Sequence, residues 1–375
     1  MTPTPAYSPG LEGVIAGETA ISSVGDGLRY RGYPVGELVE HCTFEEVAHL
    51  LLYGELPNAA QLADFQRRVA AARRLPEPLQ NLLKALPPWI GGMDGLRSSV
   101  SVLAHFDQDI ADNSHDANIR KAERLLAQIP LAVADHYRFS KSLPVVPARQ
   151  DLSHTANFLF MLRGTVPSPD EVRALDLSLI LYAEHEFNAS TFTCRVVAST
   201  ESDLHSCIVA GIGALKGPLH GGANEVVLEL LQNAAAHRQG PEAWIQEALA
   251  RKEKVMGFGH RVYKTGDVRA GILKPYASRA LAALGQSDLE KTADVIETVM
   301  AREKKLYPNL DWPAGRLYHA LGLERTLYTP IFVMARVAGW AAHCIEQYDH
   351  NRLIRPRAKY TGPGKRAVAP LAQRK

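Results

Sequence analysis

Two histidines in glycine-rich turns and one aspartate between apolar neighbours are the residues of this chain best suited to acid–base chemistry. His220 lies in Gly217-Pro218-Leu219-His220-Gly221-Gly222-Ala223-Asn224, just ahead of an apolar helical pattern. Glycines remove side-chain bulk and permit unusual backbone angles, so a ligand can approach the main chain while the imidazole points at it. The turn alone fits equally well a histidine that only bonds a nearby carbonyl. His260 lies in a second such stretch, Gly257-Phe258-Gly259-His260-Arg261-Val262-Tyr263-Lys264-Thr265-Gly266-Asp267-Val268-Arg269. Asp311 sits between Leu310 and Trp312, and Glu184-His185-Glu186-Phe187-Asn188 closes an apolar helical run. A desolvated aspartate has a raised pKa and accepts protons near neutral pH. Neutral imidazoles donate to a developing oxyanion, and arginines bind carboxylates in pairs of hydrogen bonds. Together these groups suit proton abstraction next to a carbonyl, with an anionic partner held by arginine. A rival assignment makes His220, His260 and Asp311 the ligands of a two-histidine, one-carboxylate metal site in a hydrolase.

The elements that must position these residues read as helices. Thr43-Phe44-Glu45-Glu46 and Ser168-Pro169-Asp170-Glu171 have the spacing of capping boxes, in which a hydroxyl and a glutamate three residues on satisfy each other's free amides. Ser287-Asp288-Leu289-Glu290 and Thr329-Pro330 open further helical patterns, and Val226, Val227, Leu230 and Leu231 give Glu225–Ala236 an amphipathic face. Strand-like alternation is scarce; Val14-Ile15, in a turn-rich opening, is the expected site of a short N-terminal β segment. Leu143–Arg149, with two prolines, marks a break between helices. The expected fold is mainly α, with many helices of ordinary length.

Composition narrows the function classes. Lys and Arg total 42 against 40 Asp and Glu, so no global basic field draws nucleic acid, and any anion site must be local. The four cysteines are widely spaced, which fits a reducing compartment rather than a disulfide framework. No leader-like N-terminus and no long apolar run is seen, so a cytoplasmic location away from membranes is expected. Several motifs fall short: Gly211-Ile212-Gly213 lacks the last glycine of a dinucleotide fingerprint, and His185-Glu186 has Ala189 where a zinc helix needs its second histidine.

The segments Glu184–Phe192, Gly217–Asn224, Phe258–Arg269, Pro308–Asp311 and Arg336-Val337-Ala338-Gly339-Trp340 resemble the signature segments of citrate synthases. The resemblance runs from Gly10-Leu11-Glu12-Gly13-Val14 through Tyr30-Arg31-Gly32-Tyr33 to Arg355-Pro356-Arg357, in the family's order. It implies a multi-helical fold with a large domain, 1–221 and 326–375, and a small domain, 222–325, that closes over the substrates. It also implies the catalytic set: Asp311 takes a proton from acetyl-CoA, His220 hydrogen-bonds the thioester oxygen, and His260 polarises the ketone of oxaloacetate. His185, Arg269 and Arg336 match oxaloacetate ligands. Arg355 matches an arginine given by the other subunit of a homodimer. CoA would lie along Leu215, Lys216, Gly217, Val255, Gly257, Phe258 and Gly259, with Arg261 or Lys264 near its phosphates. No metal and no cofactor beyond the thioester substrate is implied.

Two departures stand out. Val268 replaces the family's usual proline before the arginine, which loosens the backbone ahead of Arg269. Trp312-Pro313 follows the aspartate where smaller groups are common, and a bulky wall there would favour acetyl-CoA over the propionyl-CoA of 2-methylcitrate synthases.

Overall fold

The computed structural model describes residues 7–374, in which sixteen α-helices, four single-turn 3-10 helices and one small sheet account for the regular structure. Short strands β1 (Ser22–Ser23), β2 (Arg29–Tyr30) and β3 (Tyr33–Pro34) form an antiparallel meander, Ser22 opposite Tyr30 and Tyr30 opposite Tyr33. The β segment is therefore later than Val14-Ile15, which is irregular chain with Ile15 exposed. Two turn glycines at positive φ, Gly27 and Gly32, fix where the strands reverse, and the buried Tyr30 anchors the sheet.

Helices α1 (Val35–His41), α2 (Phe44–Tyr53), α3 (Ala59–Ala71), α4 (Glu77–Ala85) and α5 (Gly92–Leu103) precede the long α6 (His115–Ser140). Then come α7 (His154–Arg163), α8 (Pro169–Tyr182), α9 (Ala189–Ala198) and α10 (Leu204–Leu215). The boxes read at Thr43 and Ser168 both form, with hydroxyl and glutamate each bonding the other residue's amide. After the His220 turn follow α11 (Ala223–Ala235), α12 (Pro241–Ala250), α13 (Val268–Ala283), α14 (Ser287–Lys304), α15 (Asp311–Ala320) and α16 (Tyr328–Asp349). Ser287 is the first residue of α14 and makes no cap bond. Thr329 lies inside α16, where its hydroxyl donates to Glu225 instead of capping. No described helix is long and apolar enough to cross a membrane.

Two apolar clusters form. The larger joins α1–α10 to the almost wholly buried α16 and extends onto one face of α13 and α15 through Leu273, Ala277, Ala314 and Leu317. The second draws only on residues between 227 and 312: Val227, Leu231, Ile245, Ile296, Val299 and Trp312 are at most 1 % exposed. Helix α15, which starts at Asp311, is thus held between both.

Candidate active site

The α8–α9 connection ties the small sheet to α16 through Glu184. Gly339 of α16 has no side chain there for a steric reason: a Cβ would come 2.4 Å from the Ala183 carbonyl oxygen. That close approach buries Glu184, which accepts from Ser22 Oγ and meets His343 Nε2, each at 2.9 Å. Burial pushes the Glu184 carboxyl up, but His343 and Arg336 outweigh it and hold it below the usual range. The Tyr30 hydroxyl donates to the Glu184 carbonyl at 2.9 Å, so the small sheet clamps this corner. His185 is buried beside it, its Nε2 3.0 Å from the Tyr263 hydroxyl. Burial, then Arg269, hold its pKa well below normal, so the ring is neutral at pH 7.

His220 meets the same connection from the other side. Its Nε2 lies 2.8 Å from Ser190 Oγ, which also accepts from Trp340 Nε1 at 3.2 Å. The Asn188 carboxamide oxygen caps α9 by accepting from the Ser190 and Thr191 amides, fixing the strand of chain that carries Ser190. Burial and the Arg336 charge lower the His220 pKa to about 4. None of Gly217, Gly221 and Gly222 has a positive φ. The glycine freedom read from the sequence is not what this turn uses. Gly221 is needed because a Cβ would meet the Leu215 carbonyl at 2.6 Å where the turn folds back on α10.

The second glycine stretch does use that freedom: Gly257 and Gly259 have φ of 87° and 81°. They let 257–259 zip against 307–309, through Gly259 N to Tyr307 O and Asn309 N to Gly257 O, both 2.9 Å. The zip brings His260 and Asp311 into one construction. His260 Nδ1 accepts from the Val262 and Tyr263 amides at 3.1 and 3.3 Å, so the neutral ring carries its proton on Nε2. Burial, then Arg269, push the His260 pKa down to about 4.

Asp267 organises the rest of this half. It caps α13 by accepting from Arg269 N, pairs with the Arg269 guanidinium through both oxygens at 3.0 and 2.8 Å, and accepts from Leu310 N at 3.2 Å. Arg269 is buried by this, so Val268 in place of proline leaves the arginine held. Its Nη2 is 3.5 Å from His260 Nε2.

Asp311, first residue of α15, accepts from the Tyr182 hydroxyl at 2.6 Å. Burial raises its pKa to about 6, against the pull of Tyr182 and Arg269. Arg336 of α16 donates Nε to the Tyr182 carbonyl at 2.6 Å and lies 4.8 Å over the Phe332 ring, while its buried Nη1 has no partner. Burial lowers its pKa to about 10, so it stays charged. Phe332 touches both sides, its ring 4.2 Å from Tyr182 and 6.2 Å from His220.

These contacts join His185, His260, Arg269, Asp311, Arg336 and His220 in one continuous region. Arg355 is outside it: exposed, it lines a separate cavity of about 970 Å³ with Glu18, Phe187, Arg195 and Glu346. The residues named for CoA are spread along the rim of the two glycine stretches. Lys216 pairs with Asp94, Arg261 faces Glu12 at 3.6 Å, and the Lys264 ammonium donates to the Arg261 carbonyl. Gly217 is partly exposed and the Leu215 side chain is fully buried; Val255 and Phe258 pack on the second cluster, with Gly257 against Trp312. Trp312 is therefore core and not a wall: it is 0 % exposed, its ring lies 4.6 Å from that of Phe258 at a tilt of 59°, and it donates Nε1 to Glu297. His220, His260 and Asp311 do not form a ligand set; among the described residues no group of His, Cys, Asp and Glu is arranged to hold a metal ion. Sequence inspection missed Tyr182, which looks like one more apolar position of α8, and Asp267, whose place just before a helix start was a usable cap signal.

Residues 10–357 match the family described as citrate synthase, C-terminal domain. The chain is 45 % identical to a 2-methylcitrate synthase of Shewanella oneidensis, with 97 % of each chain covered. It is 44 % identical to citrate synthase 2 of Bacillus subtilis over 97 % of this chain and 98 % of that one. Among solved structures, the ternary complex of carboxymethyl coenzyme A and oxaloacetate with citrate synthase from Thermoplasma acidophilum superposes with a TM-score of 0.92, at 31 % identity over 99 % of this chain and all of the other. With the motifs, the helical architecture and full-length relatives in agreement, the chain belongs to the citrate synthase family.

Proposed function

We propose that this chain condenses a short acyl-CoA with oxaloacetate and hydrolyses the resulting thioester to a tricarboxylate and free CoA. The observation that carries this is Asp311, a carboxylate with its pKa raised to about 6, joined through Tyr182 and Phe332 to a neutral His220. Asp311 takes the proton from the acyl α-carbon. His220 hydrogen-bonds the thioester oxygen through its other ring nitrogen, its Nε2 being held 2.8 Å from the Ser190 hydroxyl, which in turn lies 2.8 Å from the Asn188 carboxamide oxygen. The enol carbon then attacks the ketone, whose oxygen takes a hydrogen bond from His260 Nε2–H and, as the C–C bond forms, becomes the hydroxyl by recovering the equivalent of the proton that Asp311 removed. Water next attacks the thioester carbonyl, the C–S bond breaks, and the thiolate leaves with a proton. Arg269 and the unpartnered Nη1 of Arg336 supply positive charge for a dicarboxylate, and His185 a neutral donor beside it. Closing this region against water protects the enol from being quenched.

Domain closure, with 222–325 as the moving part, is supported by the second apolar cluster lying wholly inside that span. The chain works as a homodimer in which Arg355 completes the partner's site; its exposure, away from its own catalytic cluster, supports this.

Acetyl-CoA and propionyl-CoA are both substrates. The crowding argument for acetyl preference falls away with Trp312 in the core, and relatives bearing either name are equally similar. One methylene in an apolar pocket discriminates by only about 10- to 200-fold. Thiol release from acetyl-, propionyl- and butyryl-CoA with oxaloacetate tests all of this. Turnover of the first two within that ratio is expected; no oxaloacetate-dependent release from any of them overturns the function.

A further inference from the structure

Tyr182 gives its phenolic proton to Asp311 Oδ1, at 2.6 Å, from a fully enclosed position at the end of α8. A phenol oxygen that has donated its proton keeps lone pairs that are costly to leave bare in a buried site. The carboxamide of Asn224, the second residue of α11, lies near the phenol without a formed hydrogen bond to it. Asn224 is 0 % exposed, and among the described residues neither its nitrogen nor its oxygen has a hydrogen-bond partner. Packing holds it there. Gly315 on α15 admits the start of α11 so closely that a Cβ would lie 3.1 Å from the Asn224 carbonyl oxygen. Thr329 of α16 ties down the next residue through the Glu225 carboxylate.

We propose that Asn224 and Tyr182 form a directional relay on Asp311: the buried, unpartnered Asn224 amide turns to donate to the Tyr182 oxygen, which commits the phenolic proton to Asp311 Oδ1 and leaves Oδ2 to receive the substrate's proton. Both are positioning residues. The relay rests on the proposed function only in taking Asp311 as the base. Tyr182 from α8 bonds Asp311 directly, and the charges of Arg269 on α13, Asp267 ahead of α13 and Arg336 on α16 act on it from the surrounding elements. Tyr318 lies beside Tyr182 on α15. Burial drives the carboxyl upward; of the groups that oppose it, the Tyr182 hydrogen bond is the largest, ahead of both arginines. Removing it therefore makes Asp311 harder to ionise.

Tyr182→Phe keeps the ring against Phe332 and deletes only the donor. The acid limb of its kcat/KM–pH profile should move upward by about one unit, with the deficit shrinking at high pH. Asn224→Ala should move it the same way by less. The double variant should move it no further than Tyr182→Phe, because without the hydroxyl Asn224 has nothing to orient. A limb that stays in place while kcat drops equally at every pH, or single shifts that add in the double variant, overturns the relay. Titration of the Asp311 carboxyl carbon by NMR, identified by its loss in Asp311→Asn, reads the same ionisation without turnover. If the wild type releases no thiol, the functional reading fails and this titration alone judges the relay. If turnover is present and the titration is identical in wild type and Tyr182→Phe, the relay fails and the function stands.

Discussion

Asp311 is a residue the fold pays to keep. Its folded pKa of about 6 lies above its ordinary value of 3.8, so between those values the folded protein holds a proton that the unfolded chain has released. Stability therefore falls as pH rises through that window and stays lower above it. Asp311→Asn, which can still accept from Tyr182, should be inactive by about 10³-fold in thiol release. The same variant should be more stable than wild type by about 2 kcal/mol at pH 7.5 and no more stable near pH 3.5; denaturant titrations at the two pH values check the sign. His220 and His260 work in the opposite sense. With both lowered to about 4, they are neutral across the physiological range, so no loss of activity from histidine protonation should appear above pH 5. Part of the residue-level outline was legible beforehand: the two histidines, the aspartate and Arg269 lie in stretches whose glycines, prolines and charges break the helical pattern, whereas Arg336 sits inside α16 and was named only through the family resemblance. Tyr182 and Asn224 were not read out, because a phenol on an apolar helix face and an amide at a helix start have ordinary structural uses.

At the scale of elements, the site depends on a few backbone approaches. Gly339→Ala forces a methyl against the Ala183 carbonyl, and should cost about 2–3 kcal/mol in denaturant titrations while lowering activity, since Glu184 and His185 follow directly. The start of α13 makes the contrary prediction. Asp267 has extended backbone at φ −87° and ψ 115°, and Val268 is the exposed first residue of the helix, where proline fits and no hydrogen bond is lost. Val268→Pro should leave the KM for oxaloacetate unchanged and raise stability by about 0.5 kcal/mol; a rise in KM would show that the Asp267 pair does not by itself hold Arg269. The capping boxes at Thr43 and Ser168 were readable because capping is local chemistry over four residues. Ser287 and Thr329 share the residue type, but tertiary contacts chose other roles for them. The Val14-Ile15 strand failed because a strand needs a partner, and the partners were Arg29–Tyr30 and Tyr33–Pro34.

For the whole molecule, the shared site is the sharpest expectation. Arg355→Ala and Asp311→Ala should each be inactive alone. Mixed and allowed to exchange subunits, they should recover about a quarter of wild-type activity, because half the dimers are hybrids with one intact site of two. No recovery despite demonstrated exchange would place Arg355 outside the partner's site.

The sequence by itself determined the helical class, the family and the residue types at the site, because helical period, caps and the spacing of glycine, histidine and aspartate are written in short stretches. Only the tertiary structure decided that Trp312 is core, that Gly339 serves close packing rather than an unusual backbone angle, and that Asp311 has a tyrosine for its neighbour. Each of those depends on which helix lies against which. Desolvation and steric exclusion act between residues distant in the chain, as between Ala183 and Gly339 or Tyr182 and Asp311, and no local pattern records them.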